Sequence, residues 1–593
     1  MTLLTERRRS AFEGELLQRA GLAFLLVAVL SVLTNLGAIL ALRFPDPDDV
    51  LRLQQVRDLL AGQGWFDLTQ HRVDSPNGGV PMHWSRLVDI PLAASLLVFT
   101  PLLGQSSAEA VTLVLIPLLT LAIALLLAGR IAWRLIGAEA TGFACLALAL
   151  SVPVVSQLRP LRIDHHGWQI VLALVAANGL MARNPRVGGW VIGLALAAWM
   201  SISLEGLPMA AAFIGVLALR WLKGKTDRQW LFHAMLALAA GSLALFLGTR
   251  GVGEFVNHCD AISPVHLTVF AWGAVGIAGM ATFRPHPVPF QIMGFALIAA
   301  GALAIVYFAA PQCTSGSFSA LDPVVRQYWY SHVIEGLPIW QQRPQDILPI
   351  VVPPLIGLVA AIRLGAQSTD WLRRFWFDYA LLIAAALAVA VFVARAGAVA
   401  GALAAPPLGW QIANWYHALR RMRRTEKRIA AFVAIALALV PALPFTLLAL
   451  AVPAKAQREA VAISRAADCD VPSAARELGQ LGRAEVLAPL DISPRIVLDS
   501  ELSVVATGHH RGNAAMRELI TTFLGSSADA RRSLRTRGTK YVALCPGLAE
   551  MAQYAHHSPS GFAAELRAGR VQEWLRPVFT EANGEFRVWQ VID

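Results

Sequence analysis

The sequence predicts an α-helical polytopic membrane protein with about 13 transmembrane helices and a C-terminal soluble α/β domain. The 593 residues are 56% hydrophobic and only 15% charged, and the mean hydropathy is +0.54. This composition is too apolar for a soluble protein of this length. Apolar runs of about 18 residues or more, long enough to cross a bilayer, recur along the chain. In the C-terminal segment, short β-like runs alternate with helical ones, which indicates a separate domain.

The first apolar run, LAFLLVAVLSVLTNLGAILAL, is too long for a signal peptide and lacks a small-residue cleavage site. We therefore expect it to remain as the first span. The predicted spans are 20–42, 108–130, 139–157, 167–182, 188–205, 208–222, 230–249, 265–283, 287–309, 346–363, 376–395, 401–418 and 429–452.

Basic residues cluster in alternate connections, as the positive-inside rule predicts for cytoplasmic loops. The N-terminal TERRR lies on the same face, and the net charge of +11 follows from these clusters, so we expect no nucleic-acid partner. The apolar run 88–104 is not counted as a span and is interpreted as a membrane-surface or re-entrant segment. A further span there would move every later basic loop to the opposite face of the membrane. The clusters are Arg130/Arg134, Arg183/Arg186, Arg220/Lys223/Lys225/Arg228, Arg363/Arg373/Arg374 and Arg420/Arg421/Arg423/Arg424.

This topology gives a transmembrane domain, 1–452, and an outer α/β domain, 453–593. We expect a multi-pass protein of the bacterial inner membrane whose C-terminal domain is periplasmic. The outer face also receives four loops, 43–107, 158–166, 250–264 and 310–345.

The cysteines agree with an oxidising outer compartment. Cys259 and Cys313 lie in outer loops, Cys469 and Cys545 lie in the C-terminal segment, and Cys145 lies within a helix. The natural pairing is Cys259–Cys313 and Cys469–Cys545, although four cysteines allow three pairings.

In the C-terminal segment the predicted strands are AEVLAPLDI, RIVLDS, LSVVATG, KYVALC and EFRVWQVI. The predicted helices are AAMRELITTFLG and ADARRSLRTRG. TGHHRGN, with His509, His510 and Arg511, follows one of these strands and is either a polar turn or part of an acceptor site.

The first outer loop opens with three acids, Asp46, Asp48 and Asp49, followed by an amphipathic helix over 49–61. Carboxylates held together at a membrane surface repel one another and need a cation. The alternative is structural, because Asp48 or Asp49 would also serve as the helix N-cap.

Two other outer loops carry acids beside histidines. RIDHHGW holds Asp164, His165 and His166, and YWYSHVIEGLPIW holds Glu335. Together with a first-loop carboxylate these residues form a mixed oxygen and nitrogen ligand set suited to Mn²⁺ or Mg²⁺. Taken alone, the aspartate would be a helix cap and Glu335 a solvated acid.

Arginines accompany the acids in each of these loops and are suited to binding phosphate. Each arginine would also serve as an interfacial anchor. The candidates are Arg52, Arg86, Arg162 and Arg343.

These motifs together resemble the C-type (GT-C) glycosyltransferases, and most closely the catalytic subunit of oligosaccharyltransferase. The resemblance rests on the first-loop acid, the Asp-His-His of the second loop, the HVIEGLP motif of the fifth loop, the number of spans and the outer C-terminal domain. It covers the membrane region broadly.

The resemblance implies roles for individual residues. Asp48 would be the catalytic aspartate of the first loop, although the DP dipeptide found in other members of the family favours Asp46. Asp164 and His166 would be metal ligands with Asp48, and Glu335 would tie the mobile fifth loop to the site.

Two departures bear on the acceptor. The Trp-Trp-Asp-Tyr-Gly signature that reads the asparagine sequon is absent from 453–593, and His332 stands where a Thr or Ser is usual. The acceptor implied is therefore a protein group, a lipid or a polysaccharide.

The resemblance implies transfer of a sugar or oligosaccharide from a polyprenyl-phosphate or pyrophosphate donor within the membrane lipids, assisted by a divalent metal. The alternative class is a transporter that relays ions through interfacial acids, for which Glu205 in SISLEGLP is the nearest mid-membrane candidate.

Overall fold

The computed structural model describes residues 14–224, 227–282, 287–316, 318–450, 469–480, 482–580 and 586–592. The TERRR segment, Lys225, residue 283 of one predicted span and the last two residues of another lie outside the described residues. So do residues 453–468 of the predicted C-terminal domain and Glu585 at the start of its last predicted strand.

Helices dominate the described ranges. In chain order they are α1 (Gly14–Thr34), α2 (Leu36–Leu40), α3 (Pro47–Leu60), α4 (Arg86–Leu103), α5 (Gln105–Leu135), α6 (Ala138–Leu150), α7 (Val152–Ser156), α8 (His166–Gly179), α9 (Pro185–Ile202), α10 (Leu207–Lys223), α11 (Arg228–Thr249), α12 (Pro264–Thr282), α13 (Val288–Ala309), α14 (Pro323–Tyr328), α15 (Pro344–Gln367), α16 (Asp370–Phe392), α17 (Gly397–Arg421), α18 (Thr425–Leu439), α19 (Leu443–Leu450), α20 (Val471–Gly479), α21 (Ser493–Asp499), α22 (Asn513–Leu524), α23 (Ser527–Arg537), α24 (Ala549–His557) and α25 (Phe562–Arg567).

Within the described ranges, ten helices are long and apolar enough to cross a bilayer. The predicted class, a polytopic helical membrane protein with a C-terminal α/β region, is confirmed. Four predicted spans do not qualify. The helices α6, α8 and α18 have only 13, 14 and 15 residues, short of the ~20 that a hydrocarbon core requires, and α17, which contains the predicted span 401–418, has 25 residues but is not apolar enough. The helix α4, which was not predicted as a span, qualifies, and this gives ten. The qualifying helices are α1, α4, α5, α9, α10 with its preceding turn, α11, α12, α13, α15 and α16.

The exclusion of 88–104 from the spans is not supported by the structure. These residues form α4, whose 18 residues have a mean hydropathy of 1.6, within the range of a spanning helix. The Ser85 hydroxyl caps the helix by accepting from the Leu87 N–H at 3.3 Å. The positive-inside rule orients spans but does not decide whether a segment is a helix.

Contacts divide the chain into two units, and the first is Met1–Arg43, Trp84–Ser319 and Ile334–Leu447. Its helices pack closely through small residues. A Cβ at Gly193 of α9 would lie 2.3 Å from the Ala234 carbonyl oxygen of α11, so only glycine permits this approach. A disulfide joins Cys259 to Cys313 within this unit, as the sequence predicted.

The second unit is Phe44–His83, Ala320–Val333 and Leu448–Asp593. The strands in its described residues, including a short hairpin, are β1 (Thr69–Gln70), β2 (Val80–Pro81), β3 (Glu485–Leu487), β4 (Ser503–Val504), β5 (Tyr541–Leu544), β6 (Leu575–Thr580) and β7 (Arg587–Val591). The five-stranded sheet has the order β4-β3-β5-β7-β6; β3 pairs in parallel with β4 and β5, and β7 is antiparallel to β5 and β6. The predicted disulfide Cys469–Cys545 is present.

One predicted strand is wrong, because RIVLDS lies in helix α21. Pro494 occupies the first turn of that helix, where a fixed φ favours helix initiation, and this outweighs the β propensity of Ile496 and Val497.

The predicted N-cap of α3 is also wrong. Asp46, rather than Asp48 or Asp49, caps it, and its carboxylate accepts from the Asp48 N–H at 2.9 Å.

First-loop residues complete the edge of the sheet in the second unit. The Asp74 N–H donates to the Val504 carbonyl at 3.0 Å, and the Val504 N–H donates to the Arg72 carbonyl at 2.9 Å. Arg537, only 6% exposed, anchors this edge by donating to Asp74 at 2.6 Å. It also pairs with Glu485 and Glu518, each at 2.7 Å.

Replacing Arg537 with Gln should destabilise the protein by about 3–5 kcal/mol, because three acids lose the cation that compensates them in a buried setting. Thermal unfolding of the detergent-solubilised chain measures this effect. Arg532→Gln is the matched control, since Arg532 pairs with Asp529 on an exposed surface and its loss should leave the midpoint unchanged. Equal midpoints for the two variants would contradict the anchoring role.

Glu550 is another buried ionisable group of this unit. Its carboxyl accepts from the N–H groups of Leu490 and Asp491 at 2.9 and 3.1 Å, and from the Tyr554 hydroxyl at 2.8 Å. Burial, together with the neighbouring Asp491 carboxyl, nevertheless raises the pKa of Glu550 to about 8.

This raised pKa makes stability depend on pH. Above pH 4.5 the unfolded chain releases the Glu550 proton while the folded chain keeps it, so stability should fall as pH rises from 4.5 to about 8 and then level off. In Glu550→Gln, which imitates the protonated acid, the unfolding midpoint should fall less over this interval. Identical pH profiles for the two proteins would show that Glu550 ionises normally.

Candidate metal centre

The DHH segment lies in the first unit, at the start of α8, after a turn that fixes its direction. Leu161, three residues earlier, is buried with φ at 70°, a strained conformation for a side chain other than glycine. Its N–H donates to the Leu113 carbonyl at 2.8 Å. The residue after the histidines is Gly167, and a Cβ at this position would lie only 2.9 Å from the Leu158 side chain. The turn therefore folds back closely on the helix start.

Asp164, His165 and His166 are all buried and offer ligand atoms within 4.8 Å of one another. Nδ1 of His165 lies 2.7 Å from one carboxylate oxygen of Asp164. Nε2 of His166 lies 3.4 Å from the other oxygen. One carboxylate thus contacts both imidazoles.

Glu335 joins this group from a distant part of the chain. Its Oε1 lies 3.7 Å from Nε2 of His166. Arg162 and Arg395 compensate the charge of Glu335, at 3.4 and 3.3 Å. The structure therefore brings together the second-loop and fifth-loop acids that the sequence singled out.

Glu205 is a member of this centre that the sequence analysis did not include. Its carboxylate pairs with Arg395 at 2.5 Å and lies 3.7 Å from Nδ1 of His166. The Gln169 amide donates to Glu205 at 3.1 Å, and the Trp199 indole donates to Gln169 at 2.9 Å. Glu205, an acid set among apolar residues, was the available signal, but it was assigned to the transporter alternative. Its position in the metal centre gives that alternative no support.

The remaining predicted site residues belong to other elements of the chain. Asp46, Asp48 and the fully buried Arg52 belong to the second unit, at the start of α3. In the first unit, Arg86 is fully buried and pairs with Asp89 at 3.1 Å, while Arg343 is exposed and pairs with Asp346 at 2.8 Å. Their roles stay predictions.

The donor set fits a divalent cation. Two ligands that bind one metal at about 2.1 Å and at right angles lie about 3 Å apart. The distances from Nε2 of His166 to Asp164 and Glu335 are only slightly longer, at 3.4 and 3.7 Å. On the other side of the ring, Nδ1 of His166 lies 3.2 Å from the Gln169 amide nitrogen, which also donates to Glu205, so Gln169 and Glu205 together position the imidazole. Carboxylates with imidazole suit Mn²⁺ and related ions.

Structure comparison identifies the architecture around this centre. The archaeal oligosaccharyltransferase AglB from Archaeoglobus fulgidus, in complex with an inhibitory peptide and a dolichol-phosphate, superimposes with a TM-score of 0.64 at 13% identity, covering 96% of this chain and 74% of that one. The chain has the oligosaccharyltransferase fold. The apo form of that enzyme gives a TM-score of 0.62 at 14% identity, covering 96% and 74%. Its complex with Zn and sulfate gives 0.58 at 13% identity, covering 95% and 72%.

This fold agrees with the resemblance drawn from the sequence motifs. No protein-family model matches the chain, and no curated protein matches it in sequence. At 13–14% identity the likeness lies in the fold, so the chemistry has to be argued from the centre itself.

Glu205→Gln should lower the affinity for Mn²⁺ by about 10–100-fold, because partners that orient a metal-bound histidine have effects of this size. Isothermal titration of the purified protein measures the affinity. Glu254→Gln is the control, since Glu254 is an exposed acid of the same unit that pairs with His258. An unchanged Mn²⁺ affinity in Glu205→Gln would show that Glu205 does not contribute to metal binding.

Proposed function

We propose that this protein is a membrane glycosyltransferase, which moves a sugar or oligosaccharide from a polyprenyl-phosphate or pyrophosphate donor to an acceptor at the outer membrane surface. The observation that carries the proposal is that carboxylate oxygens of Asp164 and Glu335 both lie within 3.7 Å of Nε2 of His166. The chain that contains this group has the oligosaccharyltransferase fold. A polar centre of this kind is unexpected in so apolar a unit unless it has a function.

Two solved structures with this fold are consistent with this chemistry. The Archaeoglobus fulgidus enzyme is described in complex with dolichol-phosphate and, separately, tethered to an acceptor peptide containing the NVT sequon. We infer that the present chain takes a lipid-linked phosphate donor of the same general class. Its arginines Arg162 and Arg395, which already hold Glu335, are suited to the phosphate oxygens of such a donor.

Asp164, His166 and Glu335 would hold the divalent cation, with Mn²⁺ or Mg²⁺ as the expected ion. When bound, the cation supplies Lewis-acid stabilisation of the leaving phosphate. Asp48 or Asp46, from the first loop, is the proposed base, which accepts the proton of the acceptor nucleophile. The nucleophile then forms a bond to the anomeric carbon, and the bond from that carbon to the phosphate oxygen breaks.

Glu335 also links the centre to the segment that precedes α15. It lies in a short turn, Ile334–Gly336, and the Ala394 N–H beside Arg395 donates to the Leu337 carbonyl at 3.1 Å. In the proposed reaction the 310–345 loop would close over the bound substrate, and Glu335 would hold the loop at the centre.

The proposed acceptor is defined by its chemical class. The sequon-reading signature is absent from 453–593, so we propose transfer to a protein group, a lipid or a polysaccharide. The disulfides Cys259–Cys313 and Cys469–Cys545 support an oxidising compartment for both units, which fits a bacterial inner-membrane protein with a periplasmic C-terminal domain.

The test is transfer of labelled sugar from lipid-linked donors in membranes that contain the protein. Asp164→Asn and Glu335→Gln should each reduce transfer by about 100-fold or more, because each removes a charge at the leaving group. Chelation should abolish transfer, and Mn²⁺ should restore it. Glu254→Gln is the matched control and should retain full activity. Full activity in both Asp164→Asn and Glu335→Gln would refute the proposal.

A further inference from the structure

Three histidines that the proposed transfer reaction does not use converge in the second unit. His83 ends the first-loop segment, and His509 and His510 belong to the TGHHRGN turn of the C-terminal segment. Each offers a ring nitrogen, and these nitrogens all lie within 4.8 Å of one another. The three ligand atoms that the described residues bring together here are imidazole nitrogens.

The backbone on both sides of this group is closely constrained. His83 follows the β1–β2 hairpin, whose pairing continues to Met82, where the N–H donates to the Leu68 carbonyl at 3.0 Å. Gly79 has φ at 95°, and a Cβ there would lie 2.8 Å from the Gln70 carbonyl oxygen. The hairpin is therefore tight, and it holds His83 in a defined position.

The TGHHRGN turn is also fixed by contacts within the second unit. The His509 N–H donates to the Thr507 carbonyl, and the Gly512 N–H donates to the His509 carbonyl, both at 2.8 Å. A Cβ at Gly508 would lie 2.9 Å from the Trp329 indole nitrogen. Glycine at 508 thus allows the indole to pack directly on the peptide that precedes the two histidines.

The ring geometry resembles a set of ligands arranged around one point. Nδ1 of His83 and Nε2 of His509 are 2.9 Å apart. The ring centroid of His510 lies 4.8 Å from the centroids of both His83 and His509. His509 is only 2% exposed, while the other two rings are half-buried, so one side of the group remains accessible.

We propose that His83, His509 and His510 form a second metal centre that binds Zn²⁺. Three imidazoles are a ligand set typical of zinc sites. Imidazole nitrogen favours Zn²⁺ over Mn²⁺ and Mg²⁺, which prefer oxygen. The two centres of this chain therefore differ in selectivity: the Asp164 centre takes a hard cation and the three-histidine centre takes zinc.

Zinc at this position would cross-link the first-loop segment to the C-terminal segment of the second unit, because 426 residues separate His83 from His509. A ligand that binds only the folded state stabilises it. Zinc should therefore raise the unfolding midpoint of the protein, an effect independent of glycosyl transfer.

Titration of the full-length, metal-stripped protein in detergent with Co²⁺, a spectroscopic probe for zinc sites, tests the proposal. Wild-type protein should bind one Co²⁺ per chain with intense visible absorption bands, which ZnCl₂ then removes. His83→Gln and His510→Gln should each weaken binding by more than about 100-fold, since even groups that only orient a ligand contribute about 10–100-fold. Both side chains are half-buried, so these variants should fold, and gel filtration checks this.

Two controls separate this centre from the other parts of the molecule. His556→Gln changes an exposed histidine that also belongs to a His-His pair of the second unit, and it should leave the Co²⁺ spectrum unchanged. Asp164→Asn should abolish the Mn²⁺ response of the first centre and leave the Co²⁺ spectrum intact. Retention of the spectrum in His83→Gln and His510→Gln, its absence from wild type, or binding of phosphate without metal would overturn the proposal.

Discussion

The first unit depends on the pairing of Arg395 with Glu205 and Glu335. Carboxylates held near one another in an apolar unit are unstable unless a cation compensates them, and Arg395 contacts both glutamates, at 2.5 and 3.3 Å. The same arginine lies in the connection between α16 and α17, so it holds the Glu335 segment at the start of α8. Because of this pairing, residues 164, 205 and 335, far apart in sequence, share one centre.

The proposed chemistry follows from the types of ligand that each unit brings together. The first unit combines carboxylates with imidazole, a set suited to Mn²⁺ or Mg²⁺, while the second combines three imidazoles, a set suited to zinc. A chain with two such centres would distinguish metals by ligand type and not by affinity alone. The arginines around Glu335 supply positive charge of the kind that the proposed phosphate donor would need.

The fold itself requires little sequence identity. Only 13–14% of residues agree with the archaeal oligosaccharyltransferase, yet the superposition covers almost the whole chain. Spanning helices need length and apolarity, conditions that many sequences satisfy. Close packing adds a few specific demands, such as glycine at 193 against α11. The polar residues at the centres carry the information about chemistry.

The sequence by itself determined the membrane class, most spans and the motifs around Asp164 and Glu335, and it favoured, among three possible pairings, the disulfides that the structure contains. It did so because apolar length, cysteine placement and charges beside lipid leave strong local signals. Only the tertiary structure decided that Glu205, Arg395 and Gln169 belong to the centre, that α21 is a helix, and that His83 lies beside His509. These outcomes depend on contacts between segments up to several hundred residues apart, and no local pattern records which side chains such packing will bring together.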